Sequence, residues 1–396
     1  MIEKATDAPE ATEFSEELEG YLVSLVGARR TTALATALRQ PGPFLHLRTN
    51  TLRTTNAELV EALAEEGVTA QIADASLNAV GIPILPAEPV PHEPKVVVAD
   101  KASSENVMLG SHLYRPGVRQ TDRFREGDPV TIVNIRGHIV GSGVGAGDSA
   151  ELQRRKEGLF VRVTHPLYRL PSLVDLDAYH KGLFYSQSLS AMLVAPVLDP
   201  QPGETIIEFG AAPGGKTTHM AQLTANQCRI IAVDRSATRM ARLAAETARL
   251  AIRGVEPFEG KAKHFCEQYP DVQADRVLVD PPCTALGVRP KLFDITTLAR
   301  IQSTAAYQRM ILDSAITTVR PSGILVYSTC TLTVEENEQN IQYLLTKGFT
   351  LESQTPYLGA GGLVGGKLFR KQVQRISPDL HDLPGQFIAR LHRTAT

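Results

Sequence analysis

The sequence predicts an α/β protein whose second half is a doubly wound, mainly parallel sheet. Three observations carry this expectation. From about Leu173 short apolar runs alternate with helical stretches, the pattern of parallel strands joined by right-handed crossovers. A glycine-rich turn, Gly210-Ala211-Ala212-Pro213-Gly214-Gly215, stands between an apolar strand and a helix that opens at Lys216. Chemically active side chains, Asp234, Asp280, Cys283 and Cys330, fall at or just beyond the ends of successive strands. That is the edge where doubly wound folds place ligands.

The N-terminal part comes first. Leu18, Leu22, Leu25 and Val26 have helical spacing, so Phe14–Leu38 is expected to be one helix, broken by Pro41-Gly42-Pro43. A short strand over Phe44–Asn50 and an amphipathic helix over Thr55–Glu66, closed by Gly67, suggest a small α+β lobe over residues 1–94. Five prolines between Ile82 and Pro94 read as a linker. Residues 95–166 change texture. Val96–Val98 and Val130–Val133 alternate with glycine-rich turns, and Gly137–Gly147 looks like a meander, so a β-rich insertion is expected.

Residues 167–396 form the α/β unit. Its strands are expected at Thr205–Phe209, Arg229–Asp234, Val255–Glu259, Arg276–Asp280 and Gly323–Ser328, with helices over Ser236–Leu250 and Thr296–Val319 between them. Thr333-Val334-Glu335-Glu336 has the form of a capping box opening a helix that runs to Lys347.

Composition narrows the function classes. The chain has 396 residues, 43% hydrophobic and 21% charged, and a net charge of −2, so any nucleic-acid surface must be a local patch. Arg115, Arg119, Arg123 and Arg125 form such a patch inside the insertion, as do Arg154-Arg155-Lys156 and, further on, Lys367, Arg370 and Lys371. Nothing resembles a membrane span of about 18 apolar residues. Residues 1–19 are acidic and lack the apolar core of a secretory signal, so reduced thiols and a cytoplasmic location are expected. The four cysteines, Cys228, Cys266, Cys283 and Cys330, make no C-x-x-C pair, which argues against a zinc site.

The glycine-rich turn admits two readings. Gly210 to Thr217 satisfies G-x-x-x-x-G-K-[ST], the phosphate-binding loop of nucleotidases, and Arg276–Asp280 resembles the strand that holds Mg²⁺ in them. The other reading is an S-adenosylmethionine site. Asp234, nineteen residues beyond Gly215, suits a ribose diol, whereas a nucleotidase has no use for it. A third possibility is a non-catalytic RNA-binding module.

The two late cysteines favour methyl transfer. Carbon 5 of a pyrimidine is a poor nucleophile until a thiolate adds at carbon 6. Asp280 and Lys216 are placed to hydrogen-bond the ring and stabilise the charge that develops. A helix just beyond Cys330 is expected to favour its thiolate.

At these residues the sequence resembles the Nop/Sun family of RNA cytosine-5 methyltransferases. GAAPGGKTTHMAQL, DPPC and YSTCTLTVEENE correspond to its donor-site, base-site and nucleophile motifs. Lys95–Pro166, with VMLGSHLYRPGV, resembles the PUA domain carried by one branch, which methylates tRNA near the end of the acceptor stem at position 72 and docks the CCA end on that domain. The resemblance implies a Rossmann-like methyltransferase sheet and S-adenosylmethionine as cofactor; no metal and a monomer are expected as well. It implies Cys330 as the nucleophile that adds to carbon 6, Cys283 as the group that assists release, and Lys216 and Asp280 on the base. The turn Gly210, Ala211, Ala212, Pro213, Gly214, Gly215 and Lys216, with Asp234, Glu259 and Asp280, would hold the donor. Gly210 stands where the family often has cysteine, and Glu208 and Glu259 where it often has aspartate.

Overall fold

The computed structural model describes residues 6–394. Residues 1–5, the start of the acidic N-terminal stretch, and residues 395–396 lie outside them. The α/β unit is built on strands β1 (Thr205–Phe209), β2 (Arg229–Asp234), β3 (Val255–Glu259), β4 (Ala274–Val279) and β5 (Val319–Thr329). They lie parallel in the order β3-β2-β1-β4-β5, so the chain reverses direction between β1 and β4. A crevice opens at that reversal, beyond the carboxyl ends of both strands. Beyond β5 the sheet is completed by antiparallel pairing to β8 (Gln386–Arg393), which also pairs β6 (Phe349–Leu351) and β7 (Val373–Ile376).

Both faces of the sheet are covered, which is why its strands read as continuous apolar runs. Ile207, Val233, Val277 and Leu325 pack on one side against Phe265, Leu312 and Ile341. Their alternates Ile206, Ile230, Leu278 and Val326 pack on the other against Leu193, Val197 and Met220. The crossover helices are α1 (Gly215–Leu223), α2 (Ala237–Arg249), α3 (Ala262–Gln268), α4 (Leu298–Thr318) and α5 (Glu338–Leu345). Ser236 and Thr297 cap α2 and α4 with their hydroxyls.

The structure corrects three expectations. The single helix over Phe14–Leu38 is two, Glu16–Val26 and Ala28–Arg39, because Gly27 between them adopts φ +84°. Leu18, Leu22, Leu34 and Leu38 of this pair pack on Leu286 and Leu332, which flank the loops carrying the two late cysteines. Next, Thr333–Glu336 does not cap α5. That helix begins at Glu338, with no side-chain cap at Asn337. Thr333 and Glu336 do bond, hydroxyl to carboxylate at 3.0 Å, but within a loop. Finally, the N-terminal lobe does not end cleanly at residue 94. Its sheet pairs Phe44–Thr49 with Phe184–Ser186, beyond the insertion, as well as with Ala79–Pro83. The expected helix is present as Asn56–Glu65, with a full capping box at Thr55 and Glu58.

The insertion is a six-stranded sheet running from Val96 to Pro166. Its core takes in Leu292 and Phe293 from the α/β unit. The proline-rich stretch is tied down as well, since Leu85–Pro86 pairs with Tyr168–Arg169 where the chain leaves the insertion. The inserted sheet is therefore seated on the α/β unit by shared apolar packing.

Candidate active site

The glycine-rich turn is set by a close approach of backbone to backbone. Gly210 has φ +87°, and a Cβ there would lie 2.1 Å from the carbonyl oxygen of Asp280. Only glycine lets the end of β1 sit this close to the end of β4. Gly214, at φ +110°, packs against Leu243 of α2 and starts α1. Ala211 and Ala212 are buried beneath the turn. Thr217 locks it from inside, its hydroxyl donating to Glu208 at 2.5 Å. Burial pushes the Glu208 carboxyl up to about 8, so it is largely protonated at neutral pH.

Asp234 ends β2 with its carboxylate buried. It accepts from Ser236 N–H at 2.9 Å, from Arg239 at 2.8 Å and from Ala212 N–H at 3.3 Å. A carboxylate offers about four acceptor positions, which leaves one for a ligand hydroxyl. With Gly210, Gly260, Pro282 and Tyr307 it lines a cleft beside the turn. Glu259 is different. It ends β3 opposite Asp234, but its side chain is exposed and does not line the cleft; Gly260 does. The donor set otherwise suits S-adenosylmethionine: a carboxylate for the ribose diol, backbone N–H groups at the turn, and a glycine-walled cleft.

Lys216 and Asp280 meet across the crevice at 2.6 Å. Burial acts to lower the lysine's pKa, but Asp280 outweighs it and holds the ammonium above its ordinary range. Ser328, at the end of β5, donates to the other oxygen of Asp280 at 3.0 Å. Both Asp280 oxygens are thus engaged, and the lysine is fixed with its charge toward the sheet edge.

The two late cysteines come together. Cys283 Sγ and Cys330 Sγ are 3.3 Å apart although 47 residues separate them in sequence. The Cys330 thiol is lowered, first by the hydrogen bond from Cys283 and then by the Lys216 ammonium, against burial and the Asp280 charge. Cys283 is correspondingly raised, by that same hydrogen bond and by burial. The expected help from a helix N-terminus is absent, because α5 starts eight residues after Cys330. The second thiol supplies the effect instead. Cys228 and Cys266 stand apart, bonding the carbonyls of Gln201 and Ser314.

The sequence reading missed the group that brings the two thiols together. Glu336 is buried and accepts from Thr284 N–H at 3.0 Å, from Gln308 at 2.9 Å and from Thr333 at 3.0 Å, as well as from the Thr284 hydroxyl. Thr284 follows Cys283, and Thr333 lies three residues beyond Cys330. One carboxylate therefore ties both thiol loops, and Thr284 and Thr331 bond each other at 2.6 Å. Arg375 clamps the Cys330 loop from the far side, donating to the Leu332 carbonyl at 2.8 Å and pairing with buried Glu338 at 2.6 Å. A glutamate inside a helix-start pattern was the only signal, and it pointed to the wrong role.

Chemically, the arrangement offers a thiol whose pKa is lowered, a second thiol in contact with it, and an ammonium–carboxylate pair within the same crevice. Comparison with known proteins agrees. Residues 195–392 match the family model described as 16S rRNA methyltransferase RsmB/F, and residues 94–167 match the PUA domain. The chain is 40% identical over 395 residues to a tRNA (cytosine(72)-C(5))-methyltransferase of Pyrococcus horikoshii, covering 96% of this chain and 97% of that protein. It is 29% identical over 401 residues to mouse tRNA (cytosine(72)-C(5))-methyltransferase NSUN6, covering 89% of this chain and 82% of the mouse protein. The crystal structure of NSun6 from Pyrococcus horikoshii with SFG is similar with a TM-score of 0.86 at 39% identity, over 98% of this chain and 100% of that one. With its fold, its paired cysteines and its inserted domain accounted for together, the chain belongs to the Nop/Sun family of S-adenosylmethionine-dependent RNA cytosine-5 methyltransferases, in the branch that carries a PUA domain.

Proposed function

We propose that this protein is a tRNA cytosine-5 methyltransferase acting on position 72 of the acceptor stem, with Cys330 as its nucleophile. The observation that carries the reading is the contact between Cys283 and Cys330 beside the Lys216–Asp280 pair. The full-length similarity to tRNA (cytosine(72)-C(5))-methyltransferases supplies the substrate.

Cys330, lowered by its neighbour, adds through sulfur to carbon 6 of the cytosine and forms a C–S bond. Lys216 and Asp280 hold the ring and stabilise the charge driven into it. Bound S-adenosylmethionine supplies an electrophilic methyl group, to which carbon 5 is now nucleophilic. Cys283 then has a changed environment. What most favours its proton at rest is the hydrogen bond to Cys330, and that acceptor is consumed in the adduct. Freed of it, Cys283 passes its proton to water, and the resulting thiolate takes the proton on carbon 5, whose C–H electrons restore the ring double bond. The C–S bond breaks, and Cys330 leaves as thiolate. Asp234 and the Gly210–Lys216 turn bind the donor. Glu259, exposed and outside the cleft, contributes at most through its strand.

In this reading the CCA end rests on the inserted domain. Lys95, Arg123 and Arg125 line an open groove there, and Tyr114 is exposed for stacking. The protein acts as a monomer. The nucleotidase alternative lacks support: Lys216 is held by Asp280, and it leaves the thiol pair without a task.

The test is methyl transfer from labelled S-adenosylmethionine to tRNA, with bisulfite sequencing of the product. Modification at cytosine 72, lost when the CCA end is trimmed, is the expected result. Unmodified tRNA together with thermal stabilisation by ATP alone would overturn the proposal.

A further inference from the structure

We propose that a cavity between the N-terminal lobe, the inserted domain and the catalytic loops is a second base pocket. It takes an unstacked nucleobase from the RNA strand next to the target nucleotide, and so it rests on the methyltransferase reading above.

The cavity holds about 200 Å³. A water occupies about 30 Å³ of liquid, so there is room for a planar ring. Its apolar walls include Phe44, Leu109 and Pro384. Phe44 and His46 alternate along one strand and present the same face to it.

What marks it as a ligand site is unmet polar chemistry. His46 is only 7% exposed, and neither ring nitrogen has a hydrogen-bond partner among the described residues. Burial, then the Arg289 charge, lowers its pKa to about 4, so the ring is neutral and offers one donor and one acceptor. Gln187 is 9% exposed. Its carbonyl accepts from the Arg48 guanidinium, which turns the amide NH₂ away from that cation with no acceptor of its own. Arg289 Nε is buried and unpaired as well. Arg289 Nε has no accessible surface, so the unused hydrogen-bonding groups that a ligand can reach in this cavity belong to two side chains, His46 and Gln187.

The chemistry selects a base over a phosphate. The imidazole is neutral, and the Arg289 charge is already bound by the Asp382 carboxylate at 2.8 Å. A donor, an acceptor and an amide beside an aromatic wall instead match the polar edge and flat face of a nucleobase.

Position supports the same occupant. Gly287, two residues before Arg289, donates to the Cys330 carbonyl at 3.0 Å. Gly385, next to Pro384, donates to the Gly287 carbonyl at 2.7 Å. Arg48, which holds Gln187, also donates to the Gly215 carbonyl at 2.6 Å. The cavity thus shares its walls with the nucleophile loop and the donor turn, while Leu109 brings the inserted domain to its rim.

The test is filter binding of tRNA with an abasic nucleotide on one side or the other of the target cytosine. Binding is read without methyl transfer, so its failure is separable from a failure of the activity assay. One abasic position should weaken binding to the parent protein about tenfold, the scale of one lost stacked base. His46→Phe keeps the ring but removes both polar atoms, and should weaken intact tRNA by a similar factor. Combining the variant with the abasic RNA should add nothing further. Leu109→Trp, which fills the cavity from the inserted domain, should give the same pattern and covers the case of a poorly folded His46 variant. Abasic RNAs that bind as intact tRNA does, or effects that multiply when variant and abasic RNA are combined, would overturn the proposal.

Discussion

Glu208 makes a quantitative prediction about the ground beneath the donor turn. Its carboxyl is buried in β1, and burial raises its pKa from 4.5 to about 8, against the hydrogen bond from Thr217. The folded protein therefore keeps a proton that the unfolded chain releases above pH 4.5. Stability falls wherever the folded state binds more protons, so it must fall as pH rises through this window. Below pH 4.5 the group contributes nothing, and above about 8 the loss is complete. At about 1.36 kcal/mol per pH unit, the interval from 4.5 to about 8 sets an upper limit of about 5 kcal/mol. Glu208→Gln keeps the shape and an oxygen to accept from Thr217, but cannot ionise. Urea denaturation of parent and variant at pH 5, 6.5 and 8 is the assay. The variant should gain on the parent at each step upward, with little difference at pH 5. Parallel pH profiles would show that Glu208 ionises freely in the folded state and would refute the reasoning.

Other expectations follow from the site. Cys330→Ala should abolish methyl transfer with donor binding intact, whereas Cys283→Ala should accumulate an RNase-sensitive protein–RNA adduct on denaturing gels; the reverse assignment of adducts would exchange the two roles. Arg375→Met leaves Glu338 buried without its partner and should destabilise the fold by about 3–5 kcal/mol in denaturant titration; a loss below 1 kcal/mol would show that the pair is not clamping the nucleophile loop. Replacing Arg123 and Arg125 together with alanine should weaken tRNA binding and reduce the salt dependence by up to about two phosphate contacts, with S-adenosylmethionine affinity unchanged. An unaltered salt slope would place the RNA elsewhere.

The local signals in the sequence were sufficient for the α/β unit. Its strands are buried on both faces and so read as apolar runs. Ser236 and Thr297 carry cap chemistry that needs only near neighbours. The glycine turn and the placing of the late cysteines beyond strand ends were visible because they depend on residue type and order. That similarity in motif order also named the family. What needed tertiary structure was every effect acting between distant segments. Gly27 splits a helix whose apolar spacing is continuous, since the pair must bend to cover Leu286 and Leu332. The strand Phe184–Ser186 joins the N-terminal sheet across the whole insertion, which no window of local sequence can register. Glu336 looked like a cap because Thr333 lies three residues before it. Only the folded chain brings Thr284 and Gln308 to the same carboxylate, making it the tie between two thiol loops. The lowering of Cys330 was right in direction and wrong in cause. A thiol 47 residues away in sequence, held 3.3 Å away beyond the ends of β4 and β5, supplies the lowering that a nearby helix was expected to provide.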